Sequence, residues 1–329
     1  MLRRIRFYNA RGTDPYENLA VEAALLESVA SDACVLYLWQ NRRTVVIGRN
    51  QNAWQECKVE ALQRDGGCLA RRLSGGGAVF QDTGNLNFTF LLPADAFDLA
   101  RQQDVVLRAV ARWGVRAVRT GRNDIEADGR KFSGNAFYHA DGRSYHHGTL
   151  LVQADLEDLT RYLRVSEDKL RSKGVASVRA RVVNLAALAP QITVEGLRDS
   201  LVEAFGAVYG LEPEALAMPP DSARVRVLRE KFASQAWLYG RRIPLDWTLS
   251  KRFDWGGMEL AFHVAGGVVR QAAAYSDALE AQFVAALPKA FAGCPFTAAS
   301  LGAAAAALAA SESERRIARD LTRWLAENL

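Results

Sequence analysis

Four cysteines, Cys34, Cys57, Cys68 and Cys294, are scattered through 329 residues without a C-x-x-C pair, so neither a disulfide framework nor a cysteine-rich zinc site is written in the chain. A reducing compartment, the cytoplasm, is the expected location. No apolar run approaches the ~18 residues of a membrane span. The N-terminal "MLRRIRFYNARGTDPYENLA" carries charge without the apolar core of a secretion signal. With only four histidines, the adjacent His146 and His147 lack the further ligands a metal would need, and no metal ligand is assigned. Familiar catalytic patterns are missing too. A dinucleotide G-x-G-x-x-G begun at Gly75 would need glycine where Phe80 stands. "GRKFSG", Gly129 to Gly134, approaches a P-loop but continues with Asn135 instead of lysine. Ser74 lacks a G-x-S-x-G elbow because Arg72 takes the first position.

What is present is an ordinary globular composition, 49% hydrophobic and 24% charged, enough for one large domain and a smaller one. The net charge of +5 is a mild basic bias that suits phosphates, an acidic protein or simply a soluble surface. "LRRIRFYN", "CVLYLWQ", "TVVIG", "CLARR" and "NLNFTFLL" read as strands. Asp14-Pro15-Tyr16-Glu17 reads as a helix start with a capping box, running to about Val29. Further helices are expected over Trp54 to Arg64, over "DLARQQDVVLRAVARWG" up to Gly114, and over "DLEDLTRYL", "TVEGLRDSLVEAFGAVYG" and "ARVRVLREKFASQAWLYG". The fold class is therefore α+β, a mixed sheet with flanking helices. The pattern changes around "RRIPLDWTLS"; "MELAFHVAGGVVRQAAAYS" reads as a hairpin turning at Gly266-Gly267, followed by two Ala-rich helices. The expected division is a catalytic domain over 1–246 and a small α+β domain over 247–329.

Two polar blocks carry the chemistry. "RRLSGGGAVFQDTGNLNFTF", Arg71 to Phe90, sets two arginines and a serine against three glycines. Ser74-Gly75-Gly76-Gly77 is a loop whose N–H groups meet an anion or ligand, or a flexible turn; Arg71 and Arg72 favour a carboxylate or phosphate. "GRNDIEADGRKFSGNAFYHADGRSYHHGTLLV" carries Asn123, Asp124, Lys131, His146 and His147 among strands and turns. Asn123 and Asp124 would ordinarily shape a turn, and Lys131 would ordinarily be a solvated lysine. His147 suits a pocket wall better than a metal site.

Together with "KGVASVRARVVNL", these blocks resemble the three signature segments of the lipoate-protein ligase family, relatives of the biotin ligases. The resemblance extends from "DPYENLAVE" through "LYLWQNRRTVVIGRNQNAWQEC" to "FDWGGMELAFHVAGG", nearly the whole chain. It implies that lipoate (or octanoate) and ATP, with Mg2+, give lipoyl-AMP and pyrophosphate. The acyl group then passes to a lysine of an apo lipoyl domain, in a 2-oxoacid dehydrogenase E2 subunit or the glycine-cleavage H protein.

The resemblance also assigns roles residue by residue. Arg72, Gly77, Ala78, Val79, Phe80 and Asn123 fall in ATP-contacting stretches, with Lys173 and Gly174 in a loop over the adenylate that runs to Asn184. Ser74, Gly75 and Gly76, with Arg72, match the lipoate loop, and Glu22, Trp39 and His147 match the lipoyl-pocket wall. Lys131 matches the lysine touching both nucleotide and acyl carboxylate, and Asp124 lies near the phosphate or incoming amine, which makes these two the catalytic candidates. Gln81 departs from the family, where His commonly follows "GAVF" or "GAVY". A monomer without a nucleic-acid partner is expected, since no helix-turn-helix or basic stripe is read. The rival on the same scaffold is an ATP-independent acyltransferase working through a cysteine thioester. The signature blocks contain no cysteine, and Cys68 falls before the arginines.

Overall fold

The computed structural model describes residues 2–121, 123–164, 181–217, 222–240 and 247–329. They fall into two compact units, each made of several stretches of chain. The first comprises Met1–Val46, Glu56–Ala70 and Val79–Leu238, and the second Ile47–Gln55, Arg71–Ala78 and Tyr239–Leu329. The chain thus enters the second unit twice before its C-terminal third.

The first unit is built on eight strands: β1 (Arg4–Asn9), β2 (Ala33–Trp39), β6 (Asn85–Pro93), β7 (Ala117–Thr120), β8 (Asp124–Ala127), β9 (Arg130–Ala140), β10 (Arg143–Leu151) and β11 (Pro213–Ala215), in the order β11-β1-β2-β6-β10-β9-β8-β7. β1 runs parallel to β2 and β11, while the pairs from β2 to β7 are antiparallel, giving the mixed sheet the sequence implied. β3 (Thr44–Ile47), β4 (Cys68–Arg71) and β5 (Val79–Gln81) form a separate three-stranded sheet.

Alternation along the strands divides the large sheet into two faces. Leu86, Phe88, Phe90 and Leu92 join Val105, Val106, Ala109 and Val110 of the helix Leu99–Ala111 and Leu197, Leu201 and Phe205 of the helix Val194–Tyr209 in one core. Thr89, of opposite parity, meets Glu22 of the helix Pro15–Ser28. Asp14 caps that helix by accepting the Tyr16 N–H at 2.9 Å and Pro15 sits in its first turn, but the bond goes to Tyr16 rather than Glu17, so the expected capping box does not close. The expected helix over 54–64 is instead two short ones, Ala53–Glu56 and Val59–Arg64. They are interrupted where Cys57 bridges Leu163 and the Lys58 N–H donates to the Tyr162 carbonyl.

In the second unit, β12 (Trp247–Phe253), β13 (Gly256–Ala265) and β14 (Val268–Ser276) form an antiparallel sheet. The β13–β14 turn falls at Gly266-Gly267, where φ is 62° and 72°, values that favour glycine. Three helices follow, Ala281–Phe291, Ala298–Leu308 and Glu312–Asn328, one more than the sequence suggested. A capping box at Ser311 and Glu314 starts the last helix and separates it from the Ala-rich one. Among the described residues no helix is long and apolar enough to cross a membrane.

Candidate functional site

Lys131 lies near the start of β9, and its aim depends on an irregularity. In the β8–β9 pair Asp124 opposes Gly134 and Ile125 opposes Ser133, but Glu126 opposes Lys131, so Phe132 is an extra residue. Without that bulge Lys131 would share the face of Ser133; with it, Lys131 joins the face of Asp124 and Gly134. Its Nζ stands 2.7 Å from Asp124 Oδ1, with both side chains about one-third exposed. Gly134 leaves the room: a Cβ there would lie 2.8 Å from Nζ. The backbone of Lys131 is fixed as well, donating to the Arg181 carbonyl at 2.7 Å and accepting the Val183 N–H at 2.9 Å. A partly exposed ammonium on a pinned backbone, beside one carboxylate, suits an anionic reactant.

Asn123 sits in the turn before β8. Its amide donates to the Asn135 carbonyl at 2.6 Å, while its own carbonyl accepts the backbone and side-chain N–H groups of Asn135, both at 2.9 Å. In the structure its amide therefore ties this turn to β9.

The neighbouring histidines part company because a strand alternates. His146, fully buried, faces the core with Phe88 and Phe90. His147 faces the helix Pro15–Ser28, its Nδ1 2.9 Å from Glu22 Oε1. That carboxylate also accepts the Thr89 hydroxyl at 2.8 Å, and Thr89 accepts the Trp39 indole N–H at 3.1 Å. Glu22, Trp39 and His147, read from sequence as one wall, are thus one buried cluster in the first unit, with Thr89 as the link the sequence reading missed. Glu22 is 1% exposed, and its carboxyl is satisfied there by the Thr89 hydroxyl and the His147 ring.

Arg71, Arg72 and the glycine run belong to the second unit. Arg71 Nη1 donates to the carbonyls of Gly48, Arg49 and Gln51 at 3.2, 2.9 and 2.6 Å. Burial, helped by the Arg49 charge, brings its pKa down to about 10, so it stays protonated at neutral pH. Arg72 donates to the Ser74 hydroxyl and to the carbonyls of Gly75 and Gly77. Both guanidiniums collect loop carbonyls, a task for a rigid fork with five donors. Val79 and Phe80 continue from Ala78 as β5 in the first unit. Gln81 accepts from Asn41 at 2.8 Å, closing a buried polar contact. Lys173 and Gly174 lie outside the described residues.

Residues 14–206 match the lipoyl protein ligase A/B catalytic domain. The chain belongs to that family. Residues 244–325 of this lipoyl protein ligase A/B family member also match the bacterial lipoate protein ligase C-terminus. P. falciparum LipL1, solved in complex with lipoate, shares the fold with a TM-score of 0.86 and 23% identity, the match covering 98% of this chain and 100% of that one. A bi-partite lipoate protein ligase from Thermoplasma acidophilum, studied with its E2 lipoyl domain, is 26% identical over 74% of this chain and 99% of its own, with a TM-score of 0.64. A lipoate-protein ligase A bound with ATP gives 24%, 73%, 99% and 0.63 in the same order. Within the family frame, Cys34 and Cys57 are poor nucleophiles, since burial pushes both thiols up to about 12. Among the described residues no cluster of His, Cys, Asp or Glu could hold a metal by itself.

Proposed function

We propose that this chain is an ATP-dependent lipoate-protein ligase, a cytoplasmic monomer that adenylates lipoate or octanoate and passes the acyl group to a lipoyl domain. The observation that carries the reading is Lys131: an ammonium on a bulge, beside Asp124 and open to solvent. A carboxylate is a poor acyl donor to an amine. In the first step a lipoate oxygen attacks the α-phosphorus of ATP, and pyrophosphate leaves. In the second the acceptor lysine attacks the acyl carbonyl, and AMP leaves. Lys131 neutralises two anions that must approach and the charge that develops between them, which is electrostatic help of the kind that dominates such transfers.

Glu22, Trp39 and His147 are assigned to the lipoyl chain, whose methylenes gain ~0.8 kcal/mol each on leaving water. Ser74, Gly75 and Gly76 are assigned to lipoate, Arg72 to both substrates, and Gly77, Ala78, Val79, Phe80, Asn123, Lys173 and Gly174 to ATP. Asp124 is the residue that would hold Mg2+. One carboxylate fits an ion that keeps most of its ligands as phosphate and water, and its chemistry would be to screen the polyphosphate.

Support comes from the two family matches and from the relatives solved with lipoate, with ATP, or studied with an E2 lipoyl domain. The H protein is a further acceptor of the same lysine-bearing kind. The test is direct. Purified protein with lipoate and ATP should release pyrophosphate, form lipoyl-AMP and modify an apo lipoyl domain. Acyl transfer from a carrier protein without ATP, unaffected by Lys131→Ala, would refute it.

A further inference from the structure

A chain of buried amides runs through the first unit to the turn that carries Asp124. Gln102 and His146 are fully buried and Asn135 is 3% exposed. His146 Nδ1 lies 3.0 Å from the Gln102 side-chain oxygen and Nε2 lies 2.8 Å from Asn135 Oδ1. Asn135 Nδ2 donates to the Asn123 carbonyl at 2.9 Å.

Proton bookkeeping fixes this chain from one end. The Asn123 carbonyl can only accept, so the Asn135 amide must turn its nitrogen to Asn123 and its oxygen to His146. His146 must then donate from Nε2. Burial, with the neighbouring His147, brings its pKa down to about 3, so the ring is neutral and Nδ1 must accept. Gln102 must therefore offer its amide nitrogen there. In the assigned orientation that nitrogen is buried without a hydrogen-bond partner, and a half-turn of the amide satisfies it. Gly148 completes the fit, because a Cβ there would lie 2.7 Å from Asn135 Oδ1.

We propose that Asn135, its amide oriented by the Nε2–H tautomer of His146, is a positioning residue for the Asp124–Lys131 pair. Three hydrogen bonds join Asn135 to Asn123. Asp124 is the next residue, and its carboxylate holds the Lys131 amine. The side-chain amide supplies one of the three and the Asn135 backbone the other two, so its loss removes one bond, leaves the buried His146 N–H unpaired, and loosens the turn that aims the carboxylate at the ammonium. This role rests on the ligase reading for its effect on rate, but its geometry does not.

The experiment uses the full chain. Asn135→Leu, similar in size but unable to hydrogen bond, is expected to lower kcat for lipoate-dependent pyrophosphate release about tenfold or more, as small misplacements of reacting groups do. His146→Gln, which can restore a donor to Asn135, should keep most of the activity, and His146→Leu should behave as Asn135→Leu. Unchanged kcat in Asn135→Leu, or equal loss in both His146 variants, overturns the proposal. Two readouts do not depend on activity. Nitrogen NMR of the wild-type chain should show His146 as the Nε2–H tautomer, and a crystal structure of Asn135→Leu should show Asp124 withdrawn from Lys131. The Nδ1–H tautomer, or an intact Asp124–Lys131 contact in the variant, overturns it. A wild-type chain that releases no pyrophosphate refutes the ligase reading and leaves these two to decide the positioning role.

Discussion

A Cβ placed on Gly75 would sit 2.1 Å from the carbonyl oxygen of Ala278, the same carbonyl that accepts the Gly76 N–H at 3.1 Å. Backbone lies directly on backbone inside the second unit, and the missing side chain is what permits it. Gly77 differs: a Cβ there would meet nothing within 4 Å. Gly75→Ala is therefore expected to cost about 1–3 kcal/mol of stability, while Gly77→Ala stays within about 0.5 kcal/mol. Thermal or urea unfolding of the two variants side by side checks this, and equal stabilities would contradict it.

Gly134→Ala places a Cβ 2.8 Å from Lys131 Nζ and 3.0 Å from its Cε. The obstacle is the far end of a flexible side chain, so the protein should fold with a loss under about 1 kcal/mol. The amine, however, must leave its place beside Asp124. Pyrophosphate release should drop about tenfold or more, and Lys131→Ala should lose about a hundredfold or more. A fully active Gly134→Ala would show that the position of the amine is not critical.

Thr89 serves two partners at once, accepting from Trp39 and donating to Glu22. Thr89→Val keeps the shape and strands both. A loss of about 1–3 kcal/mol is expected from the buried groups left unpaired. Thr89→Ser, which keeps the hydroxyl, should recover most of it. Urea midpoints for the pair are the measurement, with equal midpoints as the adverse result.

His146 makes stability depend on pH. Burial first, then the neighbouring His147, brings its folded pKa to about 3, below the usual 6.5 of a histidine. The unfolded chain therefore binds the proton more readily. The folded state is unpenalised above pH ~6.5 and loses stability as pH falls from there toward ~3, at up to about 1.4 kcal/mol per pH unit. Unfolding free energies between pH 7 and 4 should show this slope, and it should be shallower by about one proton in His146→Gln. Identical slopes would show that His146 does not titrate in this way.

Much of the fold was legible because its signals are local. Asp14 before Pro15, Asp98 and Thr193 ahead of their helices, and Gly210 at φ 65° each start or stop an element through atoms a few residues away. Lys131, Asp124, Glu22, Trp39 and His147 stood out as candidates through the family resemblance of their segments, and the structure places Lys131 beside Asp124 and joins the other three in one cluster. Thr89 and Asn135 were not, since a threonine in an apolar strand and an asparagine in a turn-rich block are ordinary until their partners arrive from Glu22 and His146. The break at Cys57 was hidden for the same reason, because its cause is Leu163.

By itself, the sequence determined where most helices and strands lie, that the sheet is mixed, and which segments resemble the family's signature blocks, because caps, turns and hydrophobic periods act within one or two turns of chain. Only the tertiary structure decided where those segments go. A one-residue bulge at Phe132 turned Lys131 toward Asp124, strand parity sent His146 and His147 to opposite faces, and the approach of Ala278 gave Gly75 its reason to be glycine. Each depends on register or on a contact across hundreds of residues, and neither is a property of a residue and its neighbours in sequence.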